Sequence, residues 1–215
     1  MTANDIHFYH PIDSDGGDID VANEVTSTNF IADVSASEAA SGSTKYQKFY
    51  IKNTNANDIV ISPLVGLSSF SLGGDYFTIL QSTGNGTIVN TENFDRRYGV
   101  AKCTGNSINN TVPIEFEDPS IYQAIFQPGD IIVFFEADGS RKYSSTILAV
   151  TSTSLETVDD IDFLHLKDLY VATVVSGVNI GPGEYLGFWL QQVIPENTTE
   201  YLSSNIRISM LFDAE

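Results

Sequence analysis

Cysteine is almost missing from this chain of 215 residues. Cys103 stands alone, so no internal disulfide can form, and the cysteine pattern lends no support to an oxidising, secreted origin. Basic residues are scarce as well, ten against 28 acidic, for a net charge of −18. Binding to bare duplex nucleic acid needs Lys and Arg to replace counterions along the phosphates, and here the sign is wrong; an anionic membrane surface repels the chain for the same reason. Long apolar runs are lacking too. The longest, Ile131 to Phe135, falls far short of the ~20 residues a spanning helix needs. The opening MTANDIHFYH has neither a basic start nor an apolar core, so no secretory leader is expected. Three sequons (at Asn85, Asn109 and Asn197) are then read as chance in a chain rich in Asn and Thr.

Signatures of catalysis are also lacking. No GxSxG elbow, phosphate-cradling GxxxxGK[ST] or dinucleotide GxGxxG occurs. The chain is therefore expected to be a non-enzymatic binder or assembly protein without a cofactor.

What is present is a strand-former's composition: 13 Phe, 10 Tyr and many Val, Ile and Thr, punctuated by Gly, Asn and Pro about every ten residues. Strands are expected at Ile6–Tyr9, Phe30–Val34, Tyr46–Lys52, Ile59–Leu67, Tyr76–Leu80, Leu169–Val175, Tyr185–Val193 and Ile206–Phe212, with a turn-rich stretch at His10–Asp20. In Tyr46–Lys52 alternation puts Phe49 and Ile51 on one side and Lys48 and Tyr50 on the other. From Gln81 to Thr111 the pattern loosens into loops. Asp118-Pro119 is a helix start, leading into a two-turn helix that QPGD ends. IIVFFEADGSRKYSSTILAV reads as a hairpin turning at Asp138-Gly139, its first arm apolar throughout, as in a strand covered on both faces.

The sharpest motif is DSDGGDIDVANE. Counting Asp13 as position 1 of a calcium loop puts Asp15 at position 3 and Glu24 at position 12. The count then fails: position 5 is Gly17, without a side-chain oxygen, and position 6 is Asp18 where the turn demands glycine. Asp13, Asp15 and Glu24 are thus the one partial metal set, in a chain expected to bind no metal. Asp159, Asp160 and Asp162 form a second acidic cluster suited to a helix start or strand-end turn. His7 and His10 lack a third ligand at zinc spacing, and His165 reads as a packed residue. Cys103 reads as an ordinary lone thiol rather than a nucleophile. Tyr185, Phe188, Trp189 and Tyr201 raise a sugar-stacking platform, but Phe188 and Trp189 must face opposite sides of a strand, which favours core packing.

Two blocks carry a family resemblance. DVSASEAASGSTKYQKFYIKNTNA (33 to 56) and NIGPGEYLGFWLQQVIPENTTEY (179 to 201) resemble the small virion structural proteins, capsid decoration or minor structural, of tailed bacteriophages. In these a DVS-x-x-EA stretch leads into a Y-[IV]-KN-T strand, and later a PGEY-type turn leads into a Trp-containing strand ending in IP. The resemblance brings no catalytic residues. The chain departs from it by an added stretch from about 80 to 170, and by the acidic DSDGGDID in place of a Gly/Ser/Asn loop.

The combined expectation is an all-β protein: an Ig-like or jelly-roll β-sandwich from 1–84 and 166–215, with an inserted β-rich lobe over 85–165 that carries a short helix near 119–126. By resemblance it is a cement protein on the outer surface of a virion, made in the bacterial cytoplasm. Its partners are then the major capsid protein or other virion proteins and copies of itself, with no direct nucleic acid and no membrane. A tail or neck component and a carbohydrate- or receptor-binding module are the alternatives. Contact with a neighbour is expected through the edge strands at either end of the sandwich, or through the segment 1 to 30 reaching across as an arm.

Overall fold

Alternating strands build the larger of two sheets. The computed structural model describes residues 2–13, 16–26, 33–71, 73–81, 96–198 and 206–214. Strands β1 (Ile6–Asp13) and β2 (Gly16–Glu24) form a hairpin, and a short helix α1 (Ala36–Ser41) precedes β3 (Ser43–Asn53). Helix α1 starts at a reciprocal capping box, Ser35 accepting from the Glu38 amide while Glu38 accepts from that of Ser35. After β4 (Val60–Leu67) come β5 (Tyr76–Gln81) and the two-residue β6 (Arg97–Tyr98). Near the other end of the chain, β14 (Tyr185–Ile194) inserts between β3 and β5, so the six-stranded order is β2-β1-β3-β14-β5-β6. The β3–β14 ladder runs unbroken from Lys52 opposite Tyr185 to Ser43 opposite Ile194.

The inner face of this sheet (Phe49, Ile51, Phe77, Ile79, Phe188 and Leu190) shares one buried cluster with Val60, Val65 and Leu67 of β4. β4 is the middle strand of a second sheet, between β13 (Val175–Ser176) and β15 (Ile208–Ala214). Ile208, Met210 and Phe212 pack against the same cluster. Two sheets facing each other over one apolar core make a β-sandwich. Both chain ends contribute to it.

Between them lies a closed barrel of β7 (Val100–Cys103), β8 (Thr111–Glu115), β9 (Ile131–Phe135), β10 (Arg141–Val150), β11 (Ser154–Thr157) and β12 (Tyr170–Thr173), ordered β10-β11-β8-β7-β12-β9. Asp118 caps a 3-10 turn at Pro119–Ile121 that continues into α2 (Tyr122–Ile125). The apolar first arm of the hairpin explains how barrel and sandwich join. Ile132 and Phe134 of β9 point into the barrel core, while Val133 and Phe135 belong to the sandwich cluster. β12 divides in the same way, Val171 inward and Ala172 to the sandwich. The barrel therefore shares a wall with the sandwich rather than hanging from it.

Several elements differ from expectation. In the stretch His10–Asp20, read as turn-rich, residues 10–13 and 16–20 are strand. Its Asp and Gly content disguises an edge hairpin held by β1 pairing with β3, from Ile6 opposite Asn53 to Tyr9 opposite Tyr50. Residues 6–13 and 16–24 are consequently part of the sheet, with Ile6 and Phe8 against its core, and not a loose arm. β6 and β7 fall in the stretch read as loop. Gly99 separates them because a Cβ there would stand 2.8 Å from Ile125 Cδ1. Most of the expected strand Phe30–Val34 lies outside the described residues; Val34 is buried with Ala39 and Ile194.

Gly187 has a similar steric duty. It sits opposite Tyr50, whose ring crosses it, and a Cβ would meet Tyr50 Cε1 at 2.8 Å. Gly187→Ala should cost roughly 1–3 kcal/mol by overpacking. In a Tyr50→Val background, chemical denaturation should show most of that penalty gone. Equal penalties in both backgrounds would remove Tyr50 as its cause.

Candidate functional site

The acidic hairpin holds the Asp13 and Glu24 carboxylates apart. Asp13 pairs with Gly16 at the hairpin's tip, whereas Glu24 pairs with Tyr9 at its base. Four residues of strand separate the two levels, about 13 Å, too far for both carboxylates to reach one cation. Asp15 lies outside the described residues. Glu24 Oε1 instead lies 2.7 Å from His7 Nδ1, a hydrogen bond that raises the imidazole pKa, and His7 Nε2 reaches Asn4 O at 2.9 Å. His10 points to the opposite face of β1, where its Nδ1 lies 3.3 Å from Gln47 Nε2. Among the described residues no three His, Cys, Asp or Glu side chains converge as metal ligands.

The outer face of the large sheet is where the hairpin does its work. Lys48 is 0% exposed although alternation turns it away from the core. The hairpin tip covers it: Lys48 Nζ donates to Gly17 O (3.3 Å), and the Tyr50 hydroxyl donates to the same carbonyl. Tyr185 OH adds a bond to Asp18 Oδ1 at 2.6 Å, which lowers that carboxyl's pKa. The ammonium lies 5.1 Å from the Tyr50 ring centroid and 5.6 Å from that of Trp189, so π faces replace part of its lost hydration. Burial lowers the Lys48 pKa while Asp18 pushes back, and burial drives the Tyr50 phenol up to about 12. One register step along, Thr78 Oγ1 donates to Gln191 Oε1 and Gln191 Nε2 to Tyr46 OH, a buried polar row across three strands.

The four aromatics of the sugar-platform reading are divided. Phe188 lies in the core, its ring 4.6 Å from Phe49 and edge-on. Trp189 is buried on the opposite face over Lys48, Tyr185 is partly exposed beside Asp18, and Tyr201 lies outside the described residues.

Inside the barrel, Cys103 is 0% exposed and burial pushes its thiol up to about 12. Such a thiol is neutral and screened from reagents. The loop from 158 to 169 closes the barrel, Ile161 and Leu166 entering the core while polar side chains fasten the rest. Asp162 accepts from Ser107 Oγ and from the amides of Asn109 and Asn110, which holds its pKa below the ordinary carboxylate value. Those two asparagines turn the hairpin with φ of 52° and 61°. Asp159 accepts from Ser145 Oγ and Asp160 from the Asp162 amide, so the second acidic cluster is a set of strand-end ties. His165 corrects its expectation: it is exposed on this loop, its Nδ1 3.4 Å from Asn106 Nδ2, while Leu166 turns inward.

A carboxyl pair, Asp75 buried and Glu117 half-buried, was not foreseen from the sequence. Asp75, 0% exposed in the β4–β5 loop, accepts from Ser71 Oγ and from Gln192 Nε2 (2.6 Å). Glu117, on the barrel loop after β8, accepts from the Ser71 amide at 2.8 Å. Two carboxyls thus meet through Ser71 where barrel and sandwich touch. Burial, aided by the Asp75 charge and opposed by the Ser71 bond, pushes Glu117 up to about 8. No local pattern could announce it, since the partners lie on separate loops.

Comparisons with family models, with curated proteins and with solved structures returned no match.

Glu117 sets a pH dependence whose sign follows from its raised folded-state pKa. Its contribution to stability is fully present below the ordinary glutamate value of 4.5 and is lost as pH rises through about 8. His7, also raised, acts in the same direction near its own range. Melting temperature should therefore fall as pH rises from about 4.5 to about 8, the span between the unfolded and folded values of Glu117. Glu117→Gln should flatten that fall while leaving the His7 part. A variant whose pH profile parallels the wild type would show that Glu117 is not protonated in the fold.

Proposed function

We propose that this chain is a non-enzymatic structural protein of a tailed-bacteriophage particle, decorating the outer face of the shell. The observation that carries the reading is the pairing of the two blocks on which the resemblance rests. Block 33 to 56 supplies β3 and block 179 to 201 supplies β14, and they are hydrogen-bonded neighbours along their whole length at the middle of the large sheet. Stretches far apart in sequence that resemble one family in order, and that form one structural unit, are what a shared sandwich requires. The charge of −18 favours the outer face over the lumen, where packed nucleic acid carries the same sign. The wall shared by barrel and sandwich supports a rigid lobe fixed on the shell-bound part.

Adding purified protein to shells of the encoding phage that lack it should give co-sedimentation and new density on the outer surface in cryo-electron microscopy. The decorated shells should also survive higher temperature than bare ones. Density on the tail or neck would move the assignment there. Binding to no particle component, together with binding to a polysaccharide on a glycan array, would overturn it.

A further inference from the structure

Among the described residues the sandwich has four sheet edges, and three of them are protected. β2 carries Asp18, Asp20 and Glu24 and pairs irregularly; β6 and β13 are two residues long. Charges, irregularity and shortness are how native edges avoid pairing with other chains. β15 has seven residues, ISMLFDA, with no Lys or Pro, and ends the order β13-β4-β15 with no strand on its other side among the described residues. Its register break does not interrupt it. Between the pairs Leu211–Leu64 and Asp213–Ile61 the extra residue belongs to β4, at Ser62, whose φ is 45°.

Both faces of β15 are covered. Ile208, Met210 and Phe212 pack on the sandwich core. On the other face Arg207 Nη1 donates to Ala137 O (2.6 Å) and Ser209 Oγ to Gly139 O (3.3 Å), on the barrel's β9–β10 turn. Among the described residues no strand pairs with the outer backbone edge of β15. The Ser68 amide donates to Arg207 O, so odd-numbered residues bond to β4, and the amides and carbonyls of Ile208, Met210 and Phe212 point outward.

We infer that β15 pairs antiparallel with β15 of a second copy about a two-fold axis at Met210. Charge complementarity identifies the occupant. Centring on Met210 sets Ile208 opposite Phe212 as hydrogen-bonded pairs, and Arg207 opposite Asp213 as a non-hydrogen-bonded pair, where side chains approach most closely. Both residues are exposed, and neither is in an ion pair within the chain among the described residues. The two-fold makes this pair twice, at the two ends of a strand whose other side chains are uncharged. An isologous edge contact closes at two copies and leaves no further β15 edge to propagate. This pairing holds whether or not the protein belongs to a phage particle.

The test uses the purified full-length chain, so its failure is separate from failure to bind shells. Sedimentation velocity should show a reversible dimer that tightens with added salt, which screens the repulsion between copies of charge −18. On concentration, the amides of Ile208, Met210 and Phe212 should gain hydrogen-exchange protection, while those of Ser209 and Leu211 are protected throughout. Asp213→Arg and Arg207→Asp should each weaken association about tenfold, since each puts like charges opposite one another twice. An equimolar mixture of the two variants should recover dimers, because each supplies the charge the other lacks; thermal melts check that both are folded. A chain that stays monomeric at its highest soluble concentration in high salt would overturn the inference, as would single variants that associate like the wild type or a mixture no tighter than its parts.

Discussion

Pairing β3 with β14 closes a loop containing β4, β5 and the entire barrel, and the remaining architecture depends on that closure. β1 can join only once β3 is in place, and the hairpin tip can settle only on a surface made jointly by Lys48, Tyr50 and Tyr185. The entropic cost of closing so long a loop grows only logarithmically with its length. It weighs more on rate than on stability, since non-local ladders must form before they are rewarded. A barrel whose own contacts are local along 100–173 eases the problem, because it can bring its two ends together before the ladder zips. β9 and β12 then offer Val133, Phe135 and Ala172 as a prepared apolar surface for the sandwich.

The groups that invite a chemical reading are engaged in holding this arrangement. Cys103 fills barrel core, Asp162 fastens the closing loop, and Lys48 anchors the hairpin. Arg96 belongs with them: its guanidinium pairs with Asp130 and donates to the carbonyls of Ala124 and Ile125 at the end of α2, over the Tyr98 ring. A buried charge with several well-aimed partners costs less than one left unpaired, and it rejects alternative packings that would strand it. Asp75 and Glu117 are the exception in kind. Two carboxyls close together cannot both ionise cheaply, so the contact between loops stays favourable while Glu117 keeps its proton.

Where local signals were strong, the sequence disclosed the structure. Alternation in Tyr46–Lys52 and Ile206–Phe212, the Asp138-Gly139 turn and the all-apolar IIVFF each correspond to an element with the expected faces. Gly181-Pro182-Gly183-Glu184 turns as read, with Gly183 at φ 76°. β2 escaped notice because Gly and Asp are poor strand formers, and pairing with β1 supplies what propensity withholds. β6 and β7 escaped because two residues before Gly99 and four after it give too short a pattern. The burial of Lys48 could not be read at all: alternation assigns it correctly to the outer face, but only the folded hairpin shows that this face is covered. His165 failed in the reverse direction, since two apolar neighbours in a loop do not make a strand.

Acidity, finally, constrains association as well as solubility. With 28 acidic residues against ten basic, a random encounter between copies meets repulsion at most orientations, within a screening length of about 10 Å at 0.1 M salt. Contact is then confined to surfaces where charge is sparse or alternates in sign. β15 satisfies both conditions, with one basic and one acidic residue bracketing an uncharged run. Because its faces are already buried, the edge offers no side-chain pocket. Recognition there depends on backbone register and on where the two charges fall, and register is a demanding criterion: a slip of one residue sets every outward amide opposite a residue whose own backbone groups point back to β4. The same negative charge that opposes most encounters thus leaves the protein few, well-defined ways to come together.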